Sequence, residues 1–300
     1  MTAENISAYC KEIGSVGMYT IVGHGNGLGA SSLQVGISAL SDIKMLSTAR
    51  AQLKHTKLGA FLIPGFGTIS DNLAPALDAG VDVVCVASHC TEADVTAQYI
   101  GYVRKKGKKA YGVLMMYHMA SKSKLLDMAQ KMQSYGAMGV ILMDSSGTSD
   151  PKMVEDTVSY LSKNLDVMVG FHAHNNLGLA VSNSLCAINS GARIIDGTTR
   201  GFGAGAGNCQ LEALIGLLLK MGVKTNIDLY KLLDVSDRVV AKMMIKPQVI
   251  DSVSLISGIA GVFSGFAAPV KKLPKGSVSI RGIFFLSSGS VKWWQARRIL

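Results

Sequence analysis

The sequence predicts an α/β fold: a (β/α)8 barrel lacking its first strand over residues 1–226, then a small C-terminal helical region over 227–300. Three observations carry that expectation. Seven short runs rich in β-branched and apolar residues recur along the chain, each followed by a segment of helical periodicity. Most of these runs are continuously apolar rather than alternating, as strands covered on both faces of a parallel sheet are. Polar residues able to do chemistry gather at their C-terminal ends: His24, Ser88, His89, His118, Asp144, Ser145, His172 and His174. In a barrel those ends form the single active face, whereas an open doubly wound sheet gathers its site at a switch point.

The elements follow in order. "AENISAYCKEIGSVG" reads as a helix with no strand before it. The strand candidates are "MYTIVGHG" (18–25), "AFLIPG" (60–65), "VDVVCVAS" (81–88), "AYGVLMMY" (110–117), "MGVILMDSS" (138–146), "DVMVGFHAH" (166–174) and "RIIDGTT" (193–199). Between them lie amphipathic segments such as "KSKLLDMAQKMQSYGA" and "DPKMVEDTVSYLSKN", the latter with Asp150 as N-cap and Pro151 at the first helical position. Gly80, Gly107 and Gly136 stand where helices should close. Eight strands close such a barrel, so the first is expected to be missing from this sequence.

Composition narrows the function. No apolar run is long enough to span a bilayer, and "MTAENISAYCKE" lacks the basic-then-apolar order of a signal peptide, which predicts a cytoplasmic protein. Five cysteines without a C-x-x-C pair read as reduced, packed thiols, Cys209 included. A net charge of +10 would ordinarily suggest nucleic acid, but from Ser252 onward there are seven cations and no acid, leaving the body almost neutral. The basicity belongs to the tail.

Four stretches could carry chemistry. His172 and His174, two apart on a strand, share a face. They suit a first-row divalent metal that needs a further carboxylate, or equally two hydrogen-bonded histidines. "GFGAGAGN" (201–208) superficially matches a dinucleotide loop, but it follows the last strand and no acid lies at the expected distance, so NAD is not expected. None of these seven runs contains a lysine, which argues against Schiff-base aldol chemistry. In "ASHCTEADV" (87–95), Thr91 and Asp94 read as a reciprocal helix cap beside His89 and Glu92.

Taken together, "HGNGLGASS", "LIPGFGT", "ASHCTEADV", "GVLMMYHMAS", "MDSSG", "GFHAHNNLGLAVSNS", "GFGAGAGN" and "GIAGVFSGF" resemble the metal-dependent 4-hydroxy-2-oxovalerate aldolases, relatives of hydroxymethylglutaryl-CoA lyase and isopropylmalate synthase. The resemblance implies retro-aldol cleavage of 4-hydroxy-2-oxovalerate to pyruvate and acetaldehyde in the catabolism of aromatic compounds. A divalent metal, usually manganese (Mn2+), would act as the Lewis acid that stabilises the pyruvate enolate. His172 and His174 match the metal ligands, His172 also lying against the substrate, and Ser145 matches a serine that contacts the pyruvyl part. Asn208 aligns with an asparagine that is a metal ligand in hydroxymethylglutaryl-CoA lyase, and is expected here only as a residue behind the metal ligands. The resemblance also implies a partner, an acylating acetaldehyde dehydrogenase that receives the aldehyde.

Three departures from the family pattern shape the expectation. Nothing in residues 1–17 matches the Arg-Asp-Gly-x-x-His motif that supplies the charge-stabilising arginine, the carboxylate ligand and the base, so no catalytic residue is assigned and weak activity is expected. Phe263 stands where the family has a tyrosine whose hydroxyl lies near the substrate. The family pattern also stops in the tail, where "KWWQARR" read one frame over can encode Val-Val-Ala-Gly-Gln-Glu-Asp, a family-like ending, so a frameshift near residues 270–285 is expected. A CoA-dependent lyase or synthase of the same superfamily and an inactive fragment are the alternatives.

Overall fold

The computed structural model describes residues 1–263 apart from positions 24 and 34; His24 and the basic tail lie outside the described residues. Seven strands are present: β1 (Thr20–Ile21), β2 (Leu58–Leu62), β3 (Val83–His89), β4 (Lys109–Met115), β5 (Gly139–Asp144), β6 (Met168–Ala173) and β7 (Ile194–Asp196). They pair in sequence order, every ladder parallel. Each expected run overlaps one strand; β2 starts two residues before its run, β3 ends one residue after its run, β4 starts one residue before its run, and β1 and β7 are much shorter than theirs. The sheet curls as part of a barrel wall, with β1 and β7 as its two edges among the described residues.

The continuous hydrophobicity of the strands has a structural reason, because both faces of the sheet are covered. One set of side chains, including Leu58, Leu62, Val84, Val86, Leu114, Val140, Leu142, Val169, Phe171 and Ala173, packs outward against the helices. The alternate set, Val83, Cys85, Ala87, Tyr111, Val113, Met115 and Ile141, with Phe61, Met143 and Ile194 against it, fills the concave interior. Side chains alternate between faces along a strand. His89, His172 and Asp196 therefore share the interior parity at the ends of β3, β6 and β7.

The helices are α1 (Ala3–Ile13), α2 (Asp42–Gln52), α3 (Ala74–Asp78), α4 (Ala97–Lys105), α5 (Lys122–Ser134), α6 (Pro151–Asn164), α7 (Ala180–Asn189) and α8 (Leu211–Lys220). Then come α9 (Leu229–Val235), the single turn α10 (Ala241–Met243) and α11 (Ser252–Ala260). Local chemistry sets their ends. Asp150 accepts a hydrogen bond from Met153 N at 2.7 Å, with Pro151 opening α6, and Gly80, Gly107 and Gly136 turn the chain at positive φ.

The opening helix α1 packs on α2 and α9, and Tyr9 of α1 reaches Thr199, just beyond β7, at 3.4 Å. Among the described residues, no helix is long and apolar enough to cross a membrane.

One cap differs from expectation. Thr91 caps no helix, and its hydroxyl lies 2.8 Å from His89 Nδ1. The turn Ala93–Thr96 that follows starts from Glu92 without a side-chain cap. The neighbouring imidazole is a closer partner for the hydroxyl than the backbone N–H groups of the next turn.

Candidate active site

The C-terminal ends of β3 to β7 bring the polar residues together. At the end of β6, His172 and His174 stand with ring centroids 5.2 Å apart. The chain beyond β6 is held by the glycine-rich loop, which folds back beside it instead of leading straight into a helix. Asn208 bridges His174 in antiparallel fashion, Cys209 N donates to Ala173 O at 2.9 Å, and Asn175 N donates to Gly207 O at 2.8 Å. The helix α8 starts at Leu211, three residues after the loop. The loop's role is to wall the His174 side of the site.

Two buried polar atoms in this corner have no hydrogen-bond partner: His174 Nδ1 and Asn208 Oδ1. Leaving such an atom unpaired costs on the order of 1–3 kcal/mol, so a buried orphan marks a place where something else belongs. Burial, then the neighbouring His172, push the pKa of His174 down to about 3, against a backbone hydrogen bond at Ala204 that raises it. The ring is thus neutral at physiological pH, as a metal ligand must be.

An intermediate N/O donor set of this kind fits a first-row divalent cation. Among the described residues, no three His, Cys, Asp or Glu side chains converge as a complete metal site. The histidine pair could supply part of one.

The other polar residues have defined partners. Asp144 is fully buried and accepts hydrogen bonds from Thr148 N and Ser149 N, each at 3.1 Å. Burial pushes its pKa up to about 6, opposed by those donors and by His172. Ser145 accepts a hydrogen bond from Met116 N at 3.1 Å, pinning a left-handed residue at the end of β4. Its hydroxyl also lies 3.4 Å from Met143 O. His118 Nδ1 faces the Ser146 hydroxyl at 3.4 Å while Nε2 lies 3.2 Å from Gly261 O. Phe263 follows two residues later, half-buried at the end of the described chain.

Asn176 ties the loops to one another, donating to Ser146 O at 2.8 Å and accepting from Ala206 N at 3.0 Å. Cys90 and Cys209 are buried, and burial pushes both thiols above their ordinary range, Cys209 to about 11. Neither is poised as a thiolate nucleophile.

Asp196 was not singled out by the sequence. It ends β7 in register with His172, and its Oδ2 lies 3.5 Å from His172 Nδ1. Its signal was faint, a single acid closing a short strand at interior parity.

Parallel strands with catalytic-type residues at their C-terminal ends and a two-histidine strand end define a (β/α)-barrel lyase of the HMGL-like class, whose family model matches residues 20–239. The 4-hydroxy-2-oxovalerate aldolase of Spirochaeta aurantia is 52% identical over 95% of this chain and 84% of its own length. That of Pectobacterium atrosepticum is 50% identical with the same coverages. The chain belongs to the HMGL-like family and, within it, to the 4-hydroxy-2-oxovalerate aldolases, a group of carbon–carbon lyases.

Solved structures agree on the fold. The N-terminal domain of an aldolase-like protein from Bacteroides vulgatus superposes with a TM-score of 0.76 at 20% identity, covering 93% of each chain. The HMG-CoA lyase of Bacillus subtilis superposes at 0.69 and 20% identity, over 83% of this chain and 89% of its own.

Proposed function

We propose that this protein cleaves 4-hydroxy-2-oxovalerate to pyruvate and acetaldehyde, with His172 and His174 holding a divalent cation, Mn2+ in the first instance, at the mouth of the curled sheet. The observation that carries the reading is the pair of orphaned buried atoms, His174 Nδ1 and Asn208 Oδ1, beside a second imidazole on the same strand end. Relatives about half identical and bearing the name of that aldolase support the same chemistry.

When bound, the cation supplies Lewis acidity toward the 2-oxo acid. The protein's own residues do the rest. His172 and His174 present their imidazole nitrogens from the C-terminal end of β6, and Asn208 offers its amide oxygen from the second wall. Ser145, buried between β4 and β5, places a hydroxyl for the pyruvyl part, exchanging its contact with Met143 O for the substrate. The apolar interior formed by Val113, Met115, Ile141 and Met143 excludes water below the reacting carbons. The proton on the C4 hydroxyl requires a base; none is assigned among the described residues. Phe263 presents no hydroxyl to the substrate, in keeping with a site that leans on the histidine pair.

Acetaldehyde is a reactive product, and its handover to an acylating acetaldehyde dehydrogenase in the cytoplasm completes the proposed reaction sequence. The test is pyruvate release from 4-hydroxy-2-oxovalerate by chelator-treated protein titrated with Mn2+. Release that saturates with added metal is the expected result. Release indifferent to chelator and metal would contradict it, and cleavage of acyl-CoA substrates instead would point to the CoA-dependent branch of the superfamily.

A further inference from the structure

We propose that Asp196 is a positioning residue that fixes the ring and tautomer of His172, holding the proton on Nδ1 and leaving Nε2 as the nitrogen that faces the cation. The inference rests on the metal-site reading above. It starts from register, because His172 and Asp196 are Cα partners in the parallel ladder between β6 and β7 and have the same interior parity. A parallel ladder keeps such partners side by side, so the carboxylate meets the imidazole laterally without a loop having to place it. The observed separation, Nδ1 to Oδ2, is 3.5 Å, with the side chains 15% and 26% exposed.

The carboxylate is otherwise uncommitted. Asp144, the other acid at these strand ends, already has both oxygens on backbone N–H groups, whereas the one close polar contact of Asp196 among the described residues is His172 Nδ1, at a distance somewhat longer than a formed hydrogen bond. A carboxylate accepts hydrogen bonds and cannot donate them while ionised. A small closing of the 3.5 Å gap lets Nδ1–H donate to this carboxylate, which favours the proton on Nδ1 and leaves the lone pair on Nε2. A carboxylate behind a ligating histidine orients the ring and makes it a better donor.

Asp196 acts from behind the ring rather than as the missing ligand. It stands on the Nδ1 side of His172, and among the described residues it does not converge with both histidines on a common centre. The contact is partly open to solvent, so it contributes little to stability; its effect is on geometry.

Two readouts on the full-length chain test this. In metal-free protein, long-range 1H–15N correlations of the histidine rings near pH 8, with His172 assigned by its loss in His172→Gln, should show the Nδ1–H form. Asp196→Ala should shift it toward the Nε2–H form or a mixture. By calorimetry, Mn2+ affinity should fall about 10- to 100-fold in Asp196→Ala and less in Asp196→Asn, whose amide oxygen still accepts.

An Nε2–H tautomer in the wild-type protein would overturn the proposal. So would a tautomer unchanged in Asp196→Ala, or a loss of affinity as complete as in His174→Ala, which would make Asp196 a ligand. If His172→Gln and His174→Ala both bind Mn2+ as the wild type does, the metal reading fails, and the ring correlations still decide whether Asp196 orients His172.

Discussion

Ser145 shows how one hydroxyl can serve the fold and the site together. It satisfies the N–H of Met116, a non-glycine residue at φ 55°. Ser145→Ala should therefore cost about 1–3 kcal/mol of stability through the unpaired buried donor, measurable as a lower urea midpoint, and should raise the KM for the 2-oxo acid. A raised KM without any loss of stability would mean that the Met116 contact contributes nothing.

Gly147 is constrained more tightly. At φ 60°, a Cβ there would lie 2.8 Å from Asn176 N and 2.9 Å from His174 O. Gly147→Ala should destabilise by more than about 1 kcal/mol and weaken Mn2+ binding, because the backbone that must give way is that of a proposed ligand. Calorimetry and urea unfolding check both parts.

At this scale, His172 and His174 were legible because i and i+2 on a strand share a face whatever the tertiary fold. Asp196 was not, because its meaning lies in the register of two strands separated by a helix, which no local pattern encodes. Thr91 misled for a related reason. A threonine with an acid three residues on is a helix-cap pattern, but a histidine two residues before it offered a better partner.

Among the elements, α11 is held to the barrel mouth by His118, which bridges Ser146 and Gly261, the left-handed residue that ends the helix. Burial, the largest cause, pushes the pKa of His118 down to about 4 from an ordinary 6.5; the hydrogen bond to Gly261 opposes the shift and nearby His89 adds to it. Below pH 6.5 the unfolded chain takes up this proton while the folded chain resists until about pH 4. The stability linked to His118 is thus fully present above pH 6.5 and lost as pH falls toward 4. The urea midpoint should drop more between pH 7.5 and pH 5 for the wild-type protein than for His118→Gln. Equal drops would show that His118 does not titrate with folding.

Helices were read well where the cap is chemical, as at Asp150 and Pro151. The glycine loop's backbone pairing with β6 through Asn208 and Cys209 had no local signal, because it depends on which strand end lies beside the loop.

For the whole molecule, seven short runs, most of them continuously apolar, were enough to specify seven parallel strands in order, because burial on both faces leaves little choice of residue type. The short β1 and β7 were less visible: at the sheet edges, turn-forming and polar residues replace the apolar run. The same architecture explains why a single face holds the chemistry, since every strand delivers its C-terminal end there.

In the proposed reaction, His172 and His174 hold the cation on which carbon–carbon cleavage depends. The most direct measurement is the rate of pyruvate formation from 4-hydroxy-2-oxovalerate, with chelator-treated wild-type protein and His174→Ala each titrated with Mn2+. The rate, though low, should rise and saturate with metal in the wild-type protein and stay at background in the variant. The proposed reaction would be contradicted by no release at any metal concentration, or by release that is metal-independent or the same in both proteins.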